Sequence, residues 1–314
     1  MTMNALLLAA TGGGTTAPPA PVDPRPAIDD PIIDAIRPAG RRIGTLRVGP
    51  TREHTTLGSA ITADHALQTA TRTTEGAPFI TPNYRVDILV DAGTYTEIIG
   101  PGPFLAFYAA DPDGPRPLLT YTLPASGSLG TGVLIDPDQV YWEGIDIELN
   151  RPVGSTAWPK YPIHHVGIRT SIIARCALRH QTVGGGGSHT PIGMDGYAGG
   201  TTLLYGVDLT TGPTNMHGDA TGGPSSAPQT MMYVNCTSPS SINYTGMVAG
   251  APDHLWIVGS TAPTITAAYC TLHLSGSTGT VGLSGGATQD TDAAWPVPTG
   301  GLSAADRAYY GMPS

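Results

Sequence analysis

The sequence predicts an all-β chain built as a stack of parallel coils, and three observations carry that prediction. First, Gly and Pro fill 72 of 314 positions while charged residues supply only 12%. Helical surfaces are normally built from Glu, Lys, Arg and Gln, yet the chain holds a single lysine, Lys160, beside 14 arginines. Second, 40% apolar content is enough for one large β domain. Third, short apolar runs recur: Tyr141–Ile147, Ile172–Leu178, Leu203–Leu209, Met231–Cys236 and Leu255–Ser260. With Ile145, Cys176, Val207, Asn235 and Gly259 as equivalent points, the steps are 31, 31, 28 and 24 residues. That length suits one solenoid coil per repeat, with loops absorbing the difference.

The elements follow in order. Residues 1–40 form a separate block in which Gly12-Gly13-Gly14 and seven prolines, from Pro18 to Pro38, punctuate short apolar pieces. Proline removes a backbone donor and fixes φ, so this block is expected to be an extended arm without a regular helix or central strand. Either a neighbouring chain or its own domain holds it. A short strand is expected over Ile43–Val48. Leu57, Ala60, Ile61, Ala63, Leu67 and Ala70 then space themselves as one face of a helix over Thr55–Thr71. Next come a strand at Val86–Asp91, a turn at Ala92-Gly93, and Thr94–Ile99.

Strand, helix, and then Ile88-Leu-Val-Asp-Ala-Gly-Thr-Tyr-Thr-Glu-Ile-Ile99 resemble the opening of pectinesterase-like and pectin-lyase-like proteins. In those families a helix caps one end of a right-handed parallel β-helix, and a GxYxE segment, here Gly93, Tyr95 and Glu97, enters the first full coil. The resemblance covers about 50 residues. It implies a pectin-lyase-like right-handed parallel β-helix over 41–289, with a short N-terminal capping helix and a C-terminal capping tail over 290–314. In that tail, Ser303 is placed to N-cap a short closing helix. The working residues of pectinesterases lie in QDT-, DFIFG- and LGRPW-like segments. Only Gln289-Asp290-Thr291 has such letters, after the last coil recognised in the sequence, so the resemblance extends to fold and not to that activity.

A weaker repeat precedes each strand: His164–Gly167, Gly193–Gly196, Met216–Asp219 and Tyr244–Met247. Glycine permits sharp corners, so these segments are expected to be corners lying above one another, one strand spacing apart. Asp195 and Asp219 then occupy related places in consecutive coils, with His164, His165 and His217 on the same face. Asp195, Asp219 and His217 are the residues expected to do general acid and base work if the chain is an enzyme. His164, His165, Trp158 and Tyr197 are candidates for holding a sugar, Trp158 because it stands in a loop beside Pro159. Asp-Gly and Gly-Asp pairs are also ordinary turn chemistry, so a purely structural reading stands beside these two. Tyr205 and Tyr233 are read as a stacked ladder.

Asp136, Asp138, Glu143, Asp146 and Glu148 crowd one strand, and alternation assigns Asp146 and Glu148 to its solvated outside. The run lacks an EF-hand-like spacing, and His164-His165 has no ligand partners at helical spacing, so neither a metal nor another cofactor is expected. Cys176, Cys236 and Cys270 have no CxxC pairing and are read as small buried hydrophobes. A net charge of −9 argues against nucleic acid as a partner. The apolar run Ala5–Ala10 is too short for a membrane span and has no basic residue before it, so synthesis in the cytoplasm without a signal peptide is expected.

A chain rich in Thr, Gly and Ala, poor in lysine, with a Pro-rich arm and a β-helix of modest size, resembles the minor tail or tail-tip proteins of tailed bacteriophages. The resemblance implies a place in the virion tail, a trimer, an arm docked to other tail proteins, and coils that present a surface to host glycans. A polysaccharide depolymerase on the same fold is the alternative, and a secreted carbohydrate-processing enzyme a third.

Overall fold

The computed structural model describes residues 23–75, 84–99, 104–127, 132–135, 140–156, 161–165, 171–182, 192–195, 201–209, 217–219, 230–238, 242–245 and 253–291. After a short helix α1 (Pro31–Ile36), β1 (Arg41–Val48) leads to α2 (Leu57–Glu75), and β2 (Tyr84–Val90), β3 (Thr94–Thr96), β4 (Leu105–Ala109), β5 (Leu118–Thr122) and β6 (Gly132–Ile135) follow. The middle of the chain holds β7 (Val140–Glu143), β8 (Asp146–Arg151), β9 (Tyr161–His165), β10 (Ser171–Ala174), β11 (Leu178–Thr182), β12 (Ile192–Asp195) and β13 (Thr201–Tyr205). It ends with β14 (His217–Asp219), β15 (Thr230–Val234), β16 (Ile242–Thr245), β17 (Asp253–Val258), β18 (Thr261–Ala268), β19 (Cys270–Ser275), β20 (Thr278–Ser284) and β21 (Thr288–Asp290).

The chain is all-β in its organisation, and every strand pairing among the described residues is parallel. One ten-stranded sheet runs β1-β2-β4-β7-β10-β13-β15-β17-β19-β21. Beside it stand β11-β8-β5-β3, β14-β12-β9-β6 and β16-β18-β20. From β4 to β12 the chain visits the first, second and third sheets in rotation, three times over.

Strands β2, β4, β7, β10, β13 and β15 of the large sheet are buried on both faces, which is why their sequences read as nearly unbroken apolar runs. Its inner face, with Phe107, Trp142, Ile173, Leu204, Tyr233 and Ile257, packs into the main core. Its outer face, with Tyr108, Tyr141, Ile172, Leu203, Tyr205 and Met232, forms a second cluster together with Ile33 and Ile36 of α1. Tyr205 and Tyr233 therefore lie on opposite faces and do not form a ladder. Their register partners are Val234 and Leu204, respectively.

The described part of the N-terminal arm departs from the sequence expectation. Residues 31–36 are helical because Pro31 stands at the first helical position, where its missing N–H is no loss. Asp30 caps the helix, accepting from the N–H groups of Ile32 (2.9 Å) and Ile33 (3.3 Å). Residues 23–40 lie on the chain's own sheet: Ile33 and Ile36 are fully buried, and the Tyr205 hydroxyl donates to Asp30 at 2.7 Å.

Helix α2 occurs where the periodicity places it, but its inward face differs. Leu57 and Ala60 are buried, Ala70 is exposed, and Asp64 and Gln68 complete the buried stripe. The Gln68 amide donates to Asp64 at 2.6 Å and to the Phe104 carbonyl at 3.1 Å. Glu97 of the GxYxE segment caps this helix from a distance, its carboxylate accepting from the N–H groups of Leu57 (2.7 Å) and Gly58 (2.9 Å). The Tyr95 hydroxyl donates to the Asp91 carbonyl at 2.8 Å, so the segment ties helix to strand.

Burial raises the Asp64 carboxyl from 3.8 to about 7, partly opposed by the Gln68 hydrogen bond. A carboxyl whose folded pKa is raised costs nothing below its unfolded value. The cost grows as pH rises from there through the folded value. Asp64→Asn is therefore expected to raise stability by roughly 2–4 kcal/mol at pH 8 and to change it little at pH 3.5. Urea titrations of both proteins at the two pH values check this.

Candidate functional site

Three strands of the third sheet gather most of the residues singled out in the sequence. In the register β9-β12-β14, His164, Gly193 and His217 are successive Cα partners; His165 pairs with Met194, and Met194 with Gly218. Asp195 and Asp219 are direct partners on adjacent strands. The segments expected to be corners are thus strands in their described parts, and the third is shifted by one residue, since His217 rather than Met216 stands beside Gly193. Parallel strands lie about 4.8 Å apart, so the site is a two-rung ladder of aspartate positions, with His217 two residues before Asp219 and Gly193 two residues before Asp195. Trp158 and Tyr197 lie outside the described residues.

The real corners stand at the ends of β7, β10, β13, β15, β17 and β19 of the large sheet. Gly144, Arg175, Gly206, Asn235, Gly259 and Gly276 all take positive φ, between 53° and 73°. The backbone N–H of each of the first five donates to a carbonyl on the next strand, from Ala174 O (3.0 Å) at Gly144 to Ser275 O (2.8 Å) at Gly259. This corner splits each apolar run read from the sequence into pieces that join different sheets. Asn235 and Gly259 are themselves corner residues, whereas Ile145, Cys176 and Val207 each follow one, so the equivalence drawn from the sequence slips by one at Asn235.

The residue after the corner points inward. Cys176 and Cys236 occupy that place; with Cys270, which opens β19, they are buried free thiols, burial raising each thiol and carrying Cys236 and Cys270 to about 12. Ser260 occupies the place after Gly259. Its hydroxyl accepts from Cys236 N (3.0 Å) and donates toward Tyr233 O and Val258 O, both at 3.1 Å.

The sequence reading missed a charged centre around this corner. Arg37, arriving from the N-terminal segment, donates to both oxygens of Glu143, at 2.9 and 2.6 Å, and the Tyr141 hydroxyl donates to the same carboxylate at 2.6 Å. Both members of the ion pair are buried. Burial and the neighbouring Glu143 push the Tyr141 hydroxyl well above its usual value. Asp146, assigned to the solvated outside, is also buried: it faces outward, but Arg116 (3.4 Å) and Arg179 (3.0 Å) cover it, and it accepts from Ala177 N at 2.8 Å. A small cleft here is lined by Ala109, Pro112, Arg116, Glu143, Gly144 and Arg175. A Cβ at Gly144 would come within 2.9 Å of the Ala109 Cβ, so glycine keeps this corner open as well as supplying its φ of 73°.

Among the described residues, no group of three or more His, Cys, Asp or Glu is placed to hold a metal, and no helix is long and apolar enough to cross a membrane. The chain matches no family model, no curated protein and no solved structure.

Proposed function

We propose that the chain is a right-handed parallel β-helix acting as a structural component of a bacteriophage tail, a minor tail or tail-tip protein that presents its coils to host-surface glycans. The observation that carries the reading is the rotation of consecutive strands from β4 to β12 among three sheets, with parallel pairing throughout the described strands. A chain that advances one strand spacing per circuit generates this pattern. Parallel crossovers are right-handed in about 98% of cases, which sets the hand. Such a stack is a rigid rod whose flanks offer fixed positions to a repeating ligand. The Pro-rich start and the scarcity of lysine support the tail assignment. Residues 1–22, which precede the strap on the sheet, are the part proposed to dock other tail proteins, with three copies assembling together.

Native mass spectrometry of the purified protein and immunogold labelling of virions test this reading. A trimer and label at the tail support it; a monomer that labels no virion overturns it.

A second reading, a polysaccharide depolymerase, is favoured by one observation, the pairing of Asp195 with Asp219 on adjacent strands. The strand spacing of about 4.8 Å is close to the ~5–5.5 Å between the carboxyl groups of a retaining glycosidase. Incubation with host envelope glycans should release new reducing ends or unsaturated sugars, and Asp195→Asn or Asp219→Asn should each cut the rate at least ~100-fold. No products from the unaltered protein would remove this reading.

A further inference from the structure

We propose that the corner cleft between Arg116 and Arg175 binds the carboxylate of an acidic sugar, an assignment that rests on the glycan-recognition reading above and names the kind of glycan. Arg175 is the first ground. Five of the six described corners in its column carry Gly or Asn, the residues that accept positive φ with least strain. Arg175 takes φ 54° at the sixth, with a Cβ that a glycine there would not have to accommodate. What the residue supplies in return is a cationic side chain on a residue that lines the cleft, with no carboxylate partner among the described residues.

The second ground is the state of the neighbouring charges. Glu143, in the cleft wall, is already engaged by both arms of the Arg37 fork and by Tyr141. Asp146 is shared between Arg116 and Arg179, and Arg116 keeps nearly half its side chain exposed. Three arginines thus engage these two carboxylates and leave Arg175 over, in a chain whose overall charge is −9. Asp111 and Asp113 flank Pro112 at the rim, and Asp111 is turned into its own loop, accepting from the N–H groups of Asp113 and Gly114, both at 3.1 Å. A planar carboxylate matches the guanidinium fork, which favours a uronate-type sugar over a neutral one.

The test is calorimetric titration with a tetrasaccharide containing glucuronate, its carboxyl-reduced neutral form, and inorganic sulfate. The expected result is binding of the acidic form only. Arg175→Gly should weaken it about tenfold or more, since a charge-assisted bidentate contact is lost. The thermal midpoint should not fall, because glycine relieves the corner strain. Arg116→Gln should weaken binding several-fold. If acidic and neutral forms bind equally and Arg175→Gly changes neither, the cleft assignment is overturned while glycan recognition stands. If neither form binds, both readings fail, and sulfate binding as tightly as the sugar overturns the acidic-sugar class.

Discussion

Arg37→Met is expected to lower the unfolding free energy by about 3–5 kcal/mol, because it leaves Glu143 as a buried charge without its cation. The pair is nearly dry, with side-chain exposures of 7% and 4%, and its geometry is a two-bond fork. The Tyr141 hydroxyl remains as a donor to Glu143 but brings no charge. The double variant Arg37→Met, Glu143→Leu should recover most of the loss, since an apolar pair of similar volume removes the desolvation cost together with the attraction. Urea denaturation of the two singles and the double closes the cycle. If Arg37→Met alone costs under ~1 kcal/mol, residues 23–40 are held by Ile33 and Ile36 rather than by the ion pair. The result bears on the cleft as well, because Glu143 and Gly144 form its wall.

The strands of the large sheet were legible because a parallel strand buried on both faces leaves a continuous apolar run. Leu203-Leu-Tyr and Met231-Met-Tyr-Val need no alternation to be recognised. The corners were legible only in part. Gly144 and Gly206 are the residues a positive φ selects, but nothing in the composition around Arg175 signals that an arginine stands in the equivalent place. Asn235 and Gly259 were aligned with Ile145, Cys176 and Val207, although the first two stand at a corner and the last three follow one. Alternation assigned Asp146 to the correct face of its strand. What alternation cannot see is that arginines from positions 116 and 179, one strand away on either side, close over that face.

The helix shows the same limit. Counting apolar residues found the stripe beginning Leu57 and Ala60, but Asp64 and Gln68 satisfy part of each other's hydrogen bonding inside it. A polar pair of that kind is invisible to a hydropathy count. For the candidate site, the Asp195 and Asp219 pairing was readable as a repeat, since equal spacing along the chain becomes adjacency across strands. The Arg37–Glu143 contact was not, because it joins residues 106 apart with no repeat to relate them.

Trp142→Ala is expected to cost about 3–5 kcal/mol, and its comparison with Trp142→Phe separates two contributions. Trp142 is fully buried on the inner face of the large sheet, its ring 5.0 Å from that of Phe107, its register partner on the preceding strand. Its indole N–H donates to the Ile145 carbonyl at 2.6 Å, across the Gly144 corner. Alanine removes the ring contact and the donor together and leaves a cavity beneath the large sheet. Phenylalanine keeps most of the apolar volume but leaves the buried Ile145 carbonyl without its donor, a loss of about 1–3 kcal/mol. If the two variants unfold at the same urea concentration, the hydrogen bond and not the ring fixes this part of the core. The bond also reaches the surface, because Gly144 is held between Trp142 on the inside and the cleft on the outside. Trp142→Phe is therefore expected to speed hydrogen exchange at the Gly144 N–H, which bonds the Ala174 carbonyl, and to weaken glucuronate binding without altering any group that lines the cleft.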